Sequence, residues 1–336
     1  MEEVNLSYKE VVEKIKSKQI NNILFLTGAG ISTSSGIPDF RSPNGLYSKL
    51  QKYKLDYPEQ IFEINYFTRN QMPFYEMDKE FFSYKPHVTS AHYFMAEANR
   101  RQQLLYVFSQ NVDRLELEAG LPPEKLCQVH GNYKGARCQK CGFKHDINKY
   151  KELVQNQVIY KCENCKRGPV RPNVVFFGES LDKGFAKNTY KIAAADCVFI
   201  MGTSMQVAPF NLSVEKISKN VPVIVVNRDM IYLPYKKYIH LKNDIDNNVE
   251  KLMTDLGWDF PEIERNYPSN WFTDPQKQEK TKIEESENVK FSYSSGYYND
   301  SICYQKDDEE NKEESKQNQE KEELNNLEKK LEDLDV

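Results

Sequence analysis

Four cysteines spaced Cys138-x2-Cys141-x20-Cys162-x2-Cys165 constrain this chain more than any other feature. Two Cys-x2-Cys knuckles about twenty residues apart can wrap one tetrahedral Zn²⁺ in four thiolates. Such a shell is closed, so the metal is read as structural and the chemistry must lie elsewhere. A pair of disulfides is the competing reading, but knuckles this close together suit a metal better than long-range staples. His130, of the dipeptide His130-Gly131, stands eight residues before the first knuckle and is the first catalytic candidate.

At 336 residues, with 21 Tyr and 18 Phe, the chain can supply the core of one large domain carrying a small insertion. It opens Met1-Glu2-Glu3-Val4 with no apolar stretch behind, and no run approaches the roughly 20 apolar residues of a membrane span. A soluble intracellular enzyme is therefore expected. Charge is unevenly placed: residues 274–336 hold 19 Asp/Glu and 10 Lys, a net of −9, against +5 on the rest. That segment, rich in Glu, Lys, Gln, Asn and Ser, buries too little apolar surface to offset its ordering entropy and is expected to be disordered. Leu324, Leu327, Leu331 and Leu334 make a stripe too short for a stable coiled coil and read as a solvated, fraying helix.

The folded part begins with Ile23-Leu24-Phe25-Leu26 followed by Thr27-Gly28-Ala29-Gly30-Ile31-Ser32-Thr33. A buried parallel strand running into a Gly-rich turn can aim backbone N–H groups and a helix amino terminus at a pyrophosphate. The third glycine of a dehydrogenase fingerprint is replaced by Thr33, and no acidic residue ends a second strand about twenty residues on, which disfavours hydride transfer. Four further apolar runs, starting at Leu104, Val174, Val198 and Val223, each end in polar residues. In an open parallel sheet those ends bind ligand, so Gly30, Gln110, Asn111, Ser204 and Asn227 are expected to converge.

Gly28-Ala29-Gly30-Ile31-Ser32 through Asp39-Phe40-Arg41-Ser42, then Gln110-Asn111-Val112-Asp113, His130-Gly131, the four cysteines, Val174-Val175-Phe176-Phe177-Gly178-Glu179, Gly202-Thr203-Ser204 and Asn227-Arg228-Asp229 together resemble the sirtuins. These are the NAD-dependent protein-lysine deacylases, and the class I branch with its sirtuin-2-type deacetylases is the most similar. The resemblance covers roughly residues 10–260. It implies an α/β fold: a Rossmann-type parallel sheet from about 15–43, 104–131 and 171–260, with a helical module at 44–103 and an inserted small zinc-binding module at 132–170. The catalytic domain is placed at 10–267 and the acidic tail at 268–336.

For NAD, the resemblance implies a phosphate cradle at Ala29, Gly30, Ile31, Ser32 and Thr33, and a closing loop at Asp39, Phe40 and Arg41. Asn111 and Asp113, with Val112 between them, would hold the nicotinamide amide, and Gln110 its ribose. Thr203 and Ser204 would meet phosphate or ribose, Asn227, Arg228 and Asp229 the adenosine ribose, and the Val249 backbone the adenine. The acyl oxygen of an acetyl-lysine would attack the ribose carbon as nicotinamide leaves, and His130 would then act as the base that activates a ribose hydroxyl. Val175 and Phe176 would pair with the substrate peptide by β-augmentation. Asp229 stands where many relatives have Glu, and Asn247-Asn248 replaces a glycine before Val249. Tyr66-x-x-Arg69 matches the acidic-acyl pair of desuccinylating relatives but sits in an otherwise deacetylase-like stretch and is read as coincidence.

The leading expectation is an NAD-dependent protein-lysine deacetylase with a structural zinc, acting on histone, cytoskeletal or other acetylated proteins, in the cytoplasm or nucleus, without nucleic-acid or membrane partners. Removal of longer acyl groups, transfer of ADP-ribose to protein, and a catalytically silent NAD-binding protein are the alternatives. The presence of His130, Asn111 and Asp113 argues against silence.

Overall fold

The computed structural model of the chain describes residues 6–41, 45–234, 237–259 and 283–285. The expected tail disorder, the leucine stripe at 324–334, Ser42 and the domain boundary at 267 lie outside the described residues. The strands are β1 (Ile23–Thr27), β2 (Leu104–Ser109), β3 (Leu126–Gln128), β4 (Gly131–Cys138), β5 (Lys144–His145), β6 (Val170–Val174), β7 (Cys197–Met201), β8 (Val223–Asn227), β9 (Ile239–Lys242) and β10 (Ile283–Glu285). The α-helices are α1 (Tyr8–Lys16), α2 (Ile64–Arg69), α3 (Met72–Phe81), α4 (Ser90–Arg100), α5 (Leu115–Glu118), α6 (Ile147–Gln155), α7 (Lys183–Asn188), α8 (Tyr190–Ala193) and α9 (Ile245–Leu256).

The large sheet has the order β10-β9-β8-β7-β1-β2-β3. Every pairing from β9 to β3 is parallel, and β10 adds antiparallel to β9. Strand order runs outward in opposite directions from the β1/β7 pair, so the switch point that opens a ligand crevice lies there. The central strands are apolar throughout because both faces are covered. Ile23, Phe25, Cys197, Phe199, Ile224 and Val226 face one core with α1, α4 and α9, while Leu24, Leu26, Val198, Ile200, Val223 and Val225 face the other. Phe25 stacks on Phe199 with ring centroids 5.3 Å apart.

Helix ends follow local chemistry. Ser7 and Glu10 form a reciprocal capping box on α1, and Asp244 caps α9, which stops at Gly257 in the left-handed conformation.

Two boundaries differ from expectation. Helix α4 sets Ala91, Phe94, Met95 and Ala98 into the sheet's core, so the helical module ends before it and α4 is the crossover between β1 and β2. The run from Val174 is not a strand of the large sheet either. β6 pairs antiparallel with β4 in a three-stranded sheet, β5-β4-β6, on the zinc side. A continuous apolar run suits any doubly covered position, and composition does not say which sheet it joins.

The helical and zinc segments share one core, in which Phe67, Phe74 and Tyr75 pack with Tyr150, Val154, Tyr160, Cys162 and Phe176. Asp78, fully buried in α3, ties the halves by accepting from Tyr133 and Tyr150 hydroxyls, each at 2.5 Å. Among the described residues, no helix is long and apolar enough to cross a membrane.

Candidate functional site

At the switch point, backbone approaches backbone. A Cβ on Gly30 would lie 2.6 Å from the Gly202 Cα, and one on Gly202, whose φ is +61°, would lie 2.4 Å from the Ile31 nitrogen. Gly202→Ala is therefore expected to cost on the order of 3 kcal/mol, from the left-handed strain and the overlap together. Chemical denaturation measures it, and an unchanged midpoint would contradict the crowding.

The Gly-rich segment forms a short 3-10 helix, Ala29–Ser35, in place of the expected α-helix start. Its Gly30 amide donates to Gly202 O at 2.8 Å, and the Gly28 amide to Met201 O at 3.1 Å. These donors are committed to chain closure, so Gly30 serves the cradle by leaving room and not by its N–H. Thr33 Oγ1 donates back to Gly30 O at 3.0 Å, and Ile31 points into the core.

The carboxyl end of β2 supplies the next group. Gln110 Nε2 donates to Thr27 O at 3.2 Å and to Thr203 Oγ1 at 2.8 Å. Asn111 Nδ2 donates to Ser32 Oγ at 3.1 Å, and Ser32 Oγ donates to Asp113 Oδ2 at 2.6 Å. Asp113 also accepts from the Leu115 amide at 3.0 Å. Gln110 with Thr203, and Asn111 with Ser32 and Asp113, are thus two hydrogen-bonded groups set side by side at the ends of β1, β2 and β7. Val112 lies in the same turn, and Ser204 is exposed beside Thr203. Burial, foremost, raises the Asp113 pKa, opposed by the Leu115 and Ser32 hydrogen bonds.

His130 sits between β3 and β4, half-buried, its ring centroid 6.4 Å from that of Phe210. Its Nδ1 lies 3.1 Å from Gln110 O. A carbonyl only accepts, so Nδ1 carries the proton and Nε2 keeps its lone pair. Burial pulls the His130 pKa below its ordinary value, against the raising effect of that hydrogen bond. The side chain is a neutral imidazole with its tautomer set for accepting a proton at Nε2.

On the loop after Gly36, Asp39 O and Phe40 O accept from the Leu46 and Tyr47 amides at 2.8 and 3.1 Å. Phe40 packs against Tyr47 and Phe62, and Arg41 pairs with Glu59 at 3.1 Å. At the β8 end, Asn227 Nδ2 donates to Asp229 O at 2.8 Å, while Arg228 and Asp229 are exposed and pair with each other at 3.3 Å. Arg69 donates to Asn65 O within its own helix at 3.2 Å.

Two of the expected site residues are buried. Val249 is fully buried in the core. As the fifth residue of α9 its amide falls within the helical ladder, so it offers adenine neither side chain nor N–H. Nearby, Asn243 Nδ2 is buried without a hydrogen bond at the end of β9, a donor that sequence reasoning missed. Phe176 is likewise buried, among Phe62, Phe67 and Phe74 with the Arg171 guanidinium 4.2 Å from its centroid, and its amide donates to Glu179 Oε2 at 2.9 Å. Peptide pairing at this segment can use only backbone atoms, and the Val175 amide is already donated to His130 O at 2.8 Å.

Arg171 was also not anticipated. It is fully buried and pairs with Glu179, which takes a second bond from Arg137 at 3.0 Å. Glu179→Ala would leave the buried guanidinium without a counter-ion, though still bonded to Gln139 and Val174 O, and is expected to destabilise the protein by about 3 kcal/mol. A denaturant midpoint shifted by less than a third of that would show that water replaces the carboxylate.

The four cysteine sulfurs converge within 4.8 Å, with Cys138 to Cys165 at 3.7 Å and Cys141 to Cys162 at 3.6 Å. A tetrahedron of Zn–S bonds of about 2.3 Å has edges of about 3.8 Å, so the donor set fits zinc and is far too open for disulfides. Backbone amides of Lys140 and Cys141 donate to Cys138 Sγ, and that of Cys165 to Cys162 Sγ, at 3.3–3.4 Å, as thiolates require. His145 Nε2 lies 3.3 Å from Cys162 Sγ, an outer contact not read from the sequence.

The Sir2 family profile matches residues 28–209. The chain belongs to the Sir2 family. It is 38% identical over 263 residues to NAD-dependent protein deacetylase sirtuin-3 of Mus musculus, covering 76% of this chain and 78% of that protein. It is 40% identical over 230 residues to NAD-dependent protein deacetylase sirtuin-2 of Danio rerio, covering 67% and 60%. With NAD-dependent deacetylase sir2D of Dictyostelium discoideum it shares 35% over 259 residues, 75% of this chain but 47% of that protein.

Proposed function

We propose that the protein is an NAD-dependent protein-lysine deacetylase, transferring the acetyl group of an acetyl-lysine to ADP-ribose with release of nicotinamide. One observation carries this reading: the His130 tautomer, held by Gln110 O, presents an unprotonated Nε2 beside the Ser32, Asn111 and Asp113 network. NAD, when bound, supplies the electrophilic ribose carbon that accepts the acyl oxygen. A dinucleotide would lie at the switch point, where Gly28, Gly30 and Gly202 let the turns after β1 and β7 close directly on each other, since a Cβ on any of them would strike the facing turn. Gln110 and Thr203 would orient the ribose, and Asn111 with Asp113 the nicotinamide amide. Phe40, packed on Tyr47 and Phe62, excludes water that would otherwise hydrolyse the activated sugar. His130 then takes the proton of a ribose hydroxyl.

Acetylated proteins are the substrate class, and the net −9 on residues 274–336 favours basic peptides such as histone tails by charge. A reducing compartment, cytoplasm or nucleus, suits the free thiols of Cys127 and Cys197. The test is mass spectrometry after incubating the full chain with NAD and peptides bearing acetyl, longer acyl or acidic acyl groups. Deacetylated peptide, nicotinamide and acetylated ADP-ribose in equal amounts are expected. ADP-ribosylated protein, or bound NAD without turnover, would overturn the reading.

A further inference from the structure

Behind the nicotinamide-amide residues lies a buried cluster that the reaction as derived does not use. His92 in the first turn of α4 and Glu116 in α5 are both fully buried, and their ligand atoms and those of Asp113 all lie within 4.8 Å of one another. Neither carboxyl oxygen of Glu116 completes a hydrogen bond, although the Ser109 hydroxyl lies beside it, and His92 Nε2 completes none. A His and two carboxylates resemble a cation site, but the imidazole tautomer argues otherwise. The Thr89 amide donates to His92 Nδ1 at 3.2 Å, so Nδ1 holds the lone pair and Nε2 the hydrogen. His92 therefore offers the cluster a donor and has no lone pair there for a metal. Thr89 Oγ1 lies 2.7 Å from the same Nδ1, whose lone pair takes the hydroxyl hydrogen, and 2.8 Å from Ile31 O, joining the cluster to the Gly-rich segment.

Two carboxylates this close in an apolar core cannot both be ionised. Asp113 has two donors at hydrogen-bond geometry, Ser32 Oγ and the Leu115 amide, whereas the Ser109 hydroxyl and Glu116's own backbone amide approach the Glu116 carboxyl without completing a bond. The proton belongs on the group with fewer donors to its anion, Glu116.

We propose, resting on the deacetylase reading, that Glu116 and His92 are positioning residues for Asp113: Glu116 holds the cluster's one proton, so that Asp113 alone meets the nicotinamide amide as an anion, with the His92 Nε2–H facing both carboxyl groups. Burial, then the Asp113 charge, pushes the Glu116 carboxyl up to about 8, and burial, then His87, pulls His92 down to about 3. The groups bearing on the cluster are His87 and His92 from the α4 side, and Asp113 and Glu118 from the β2–α5 side. Asp246 of α9 accepts from the Ser90 amide at 3.1 Å on α4's first turn.

The experiment compares the full-length wild type with Glu116→Gln and Glu116→Leu. Glu116's folded pKa is raised, so its contribution to stability is full below about 4.5 and is lost as pH rises to about 8. Gln mimics the protonated acid and cannot ionise. The melting temperature of Glu116→Gln relative to wild type should therefore climb steadily across that window and level off above it. At pH 7, Glu116→Gln should keep its KM for NAD within roughly threefold, whereas Glu116→Leu, which puts a purely apolar group beside the Asp113 anion and the His92 N–H, should raise it about tenfold. Parallel melting of Glu116→Gln and wild type across pH, or a KM for Glu116→Gln as high as for Glu116→Leu, would overturn the proposal. Wild type without NAD-dependent turnover would instead sink the deacetylase reading, while the melting comparison would still report where the proton sits.

Discussion

Replacing His130 by alanine is expected to lower deacetylation by a factor on the order of 10²–10⁴, the usual worth of a general base, while NAD binding stays near wild type. The binding residues hold one another through Ser32, Asn111, Asp113, Gln110 and Thr203, and none of those bonds uses the imidazole side chain as a required donor except the one to Gln110 O. The base acts after nicotinamide has left, so exchange of labelled nicotinamide into NAD should survive better than product formation. Equal loss of both, in a folded variant, would show that His130 is needed before the acyl transfer. The pH profile carries a second mark. Because burial holds the His130 pKa below its ordinary value, the acid limb of kcat/KM should have its midpoint below about 6.5, with the rate rising as pH climbs through it. A midpoint above 7 would place the decisive proton elsewhere.

Cys162→Ala is expected to remove zinc and with it most of the stability of the small lobe. Structural zinc contributes roughly 10 kcal/mol or more of folding free energy in small thiolate modules. Here the loss spreads beyond the knuckles, because Cys138 and Cys162 pack in one core with Phe67, Phe74, Tyr75 and Tyr150. Phe176 and the segment beside His130 rest on that core, so activity should fall without any change in the large sheet's chemistry. Metal analysis should give one zinc per wild-type chain and none in the variant, with a separate low-temperature melting transition. A zinc-free variant with full activity and an unchanged melt would mean that the cysteines are not a metal site.

Motifs whose chemistry is local could be read directly from the chain. The four cysteines needed only their spacing, since two knuckles dictate a tetrahedral pocket wherever the loop between them goes. Gly30, Gln110 and Asn111 were legible because strand ends in a parallel sheet face one crevice and the apolar runs marked those ends, whereas Thr203 came only with the family resemblance. What failed was anything that depends on which surface covers a run. Val174-Val175-Phe176-Phe177 has the composition of a central strand, yet its neighbours are β4 and the aromatic cluster of α2 and α3. Val249 was placed by alignment on a backbone contact, whereas the α9 register turns it into the core.

The residues that only the tertiary structure selects are buried and ionisable. His92, Glu116, Arg171 and Asp78 carry no motif of their own, and hydropathy counts each as surface. Their roles come from burial itself, which makes an ion's state depend on whichever partner lies within a few ångströms. Arg171 finds Glu179 eight residues away, Asp78 finds tyrosines 55 and 72 residues away, and His92 meets Glu116 across two helices. Sequence by itself determined the zinc knuckles, the parallel sheet and the family. The fold alone decided which charges survive inside it, because desolvation is a property of packing and not of order along the chain.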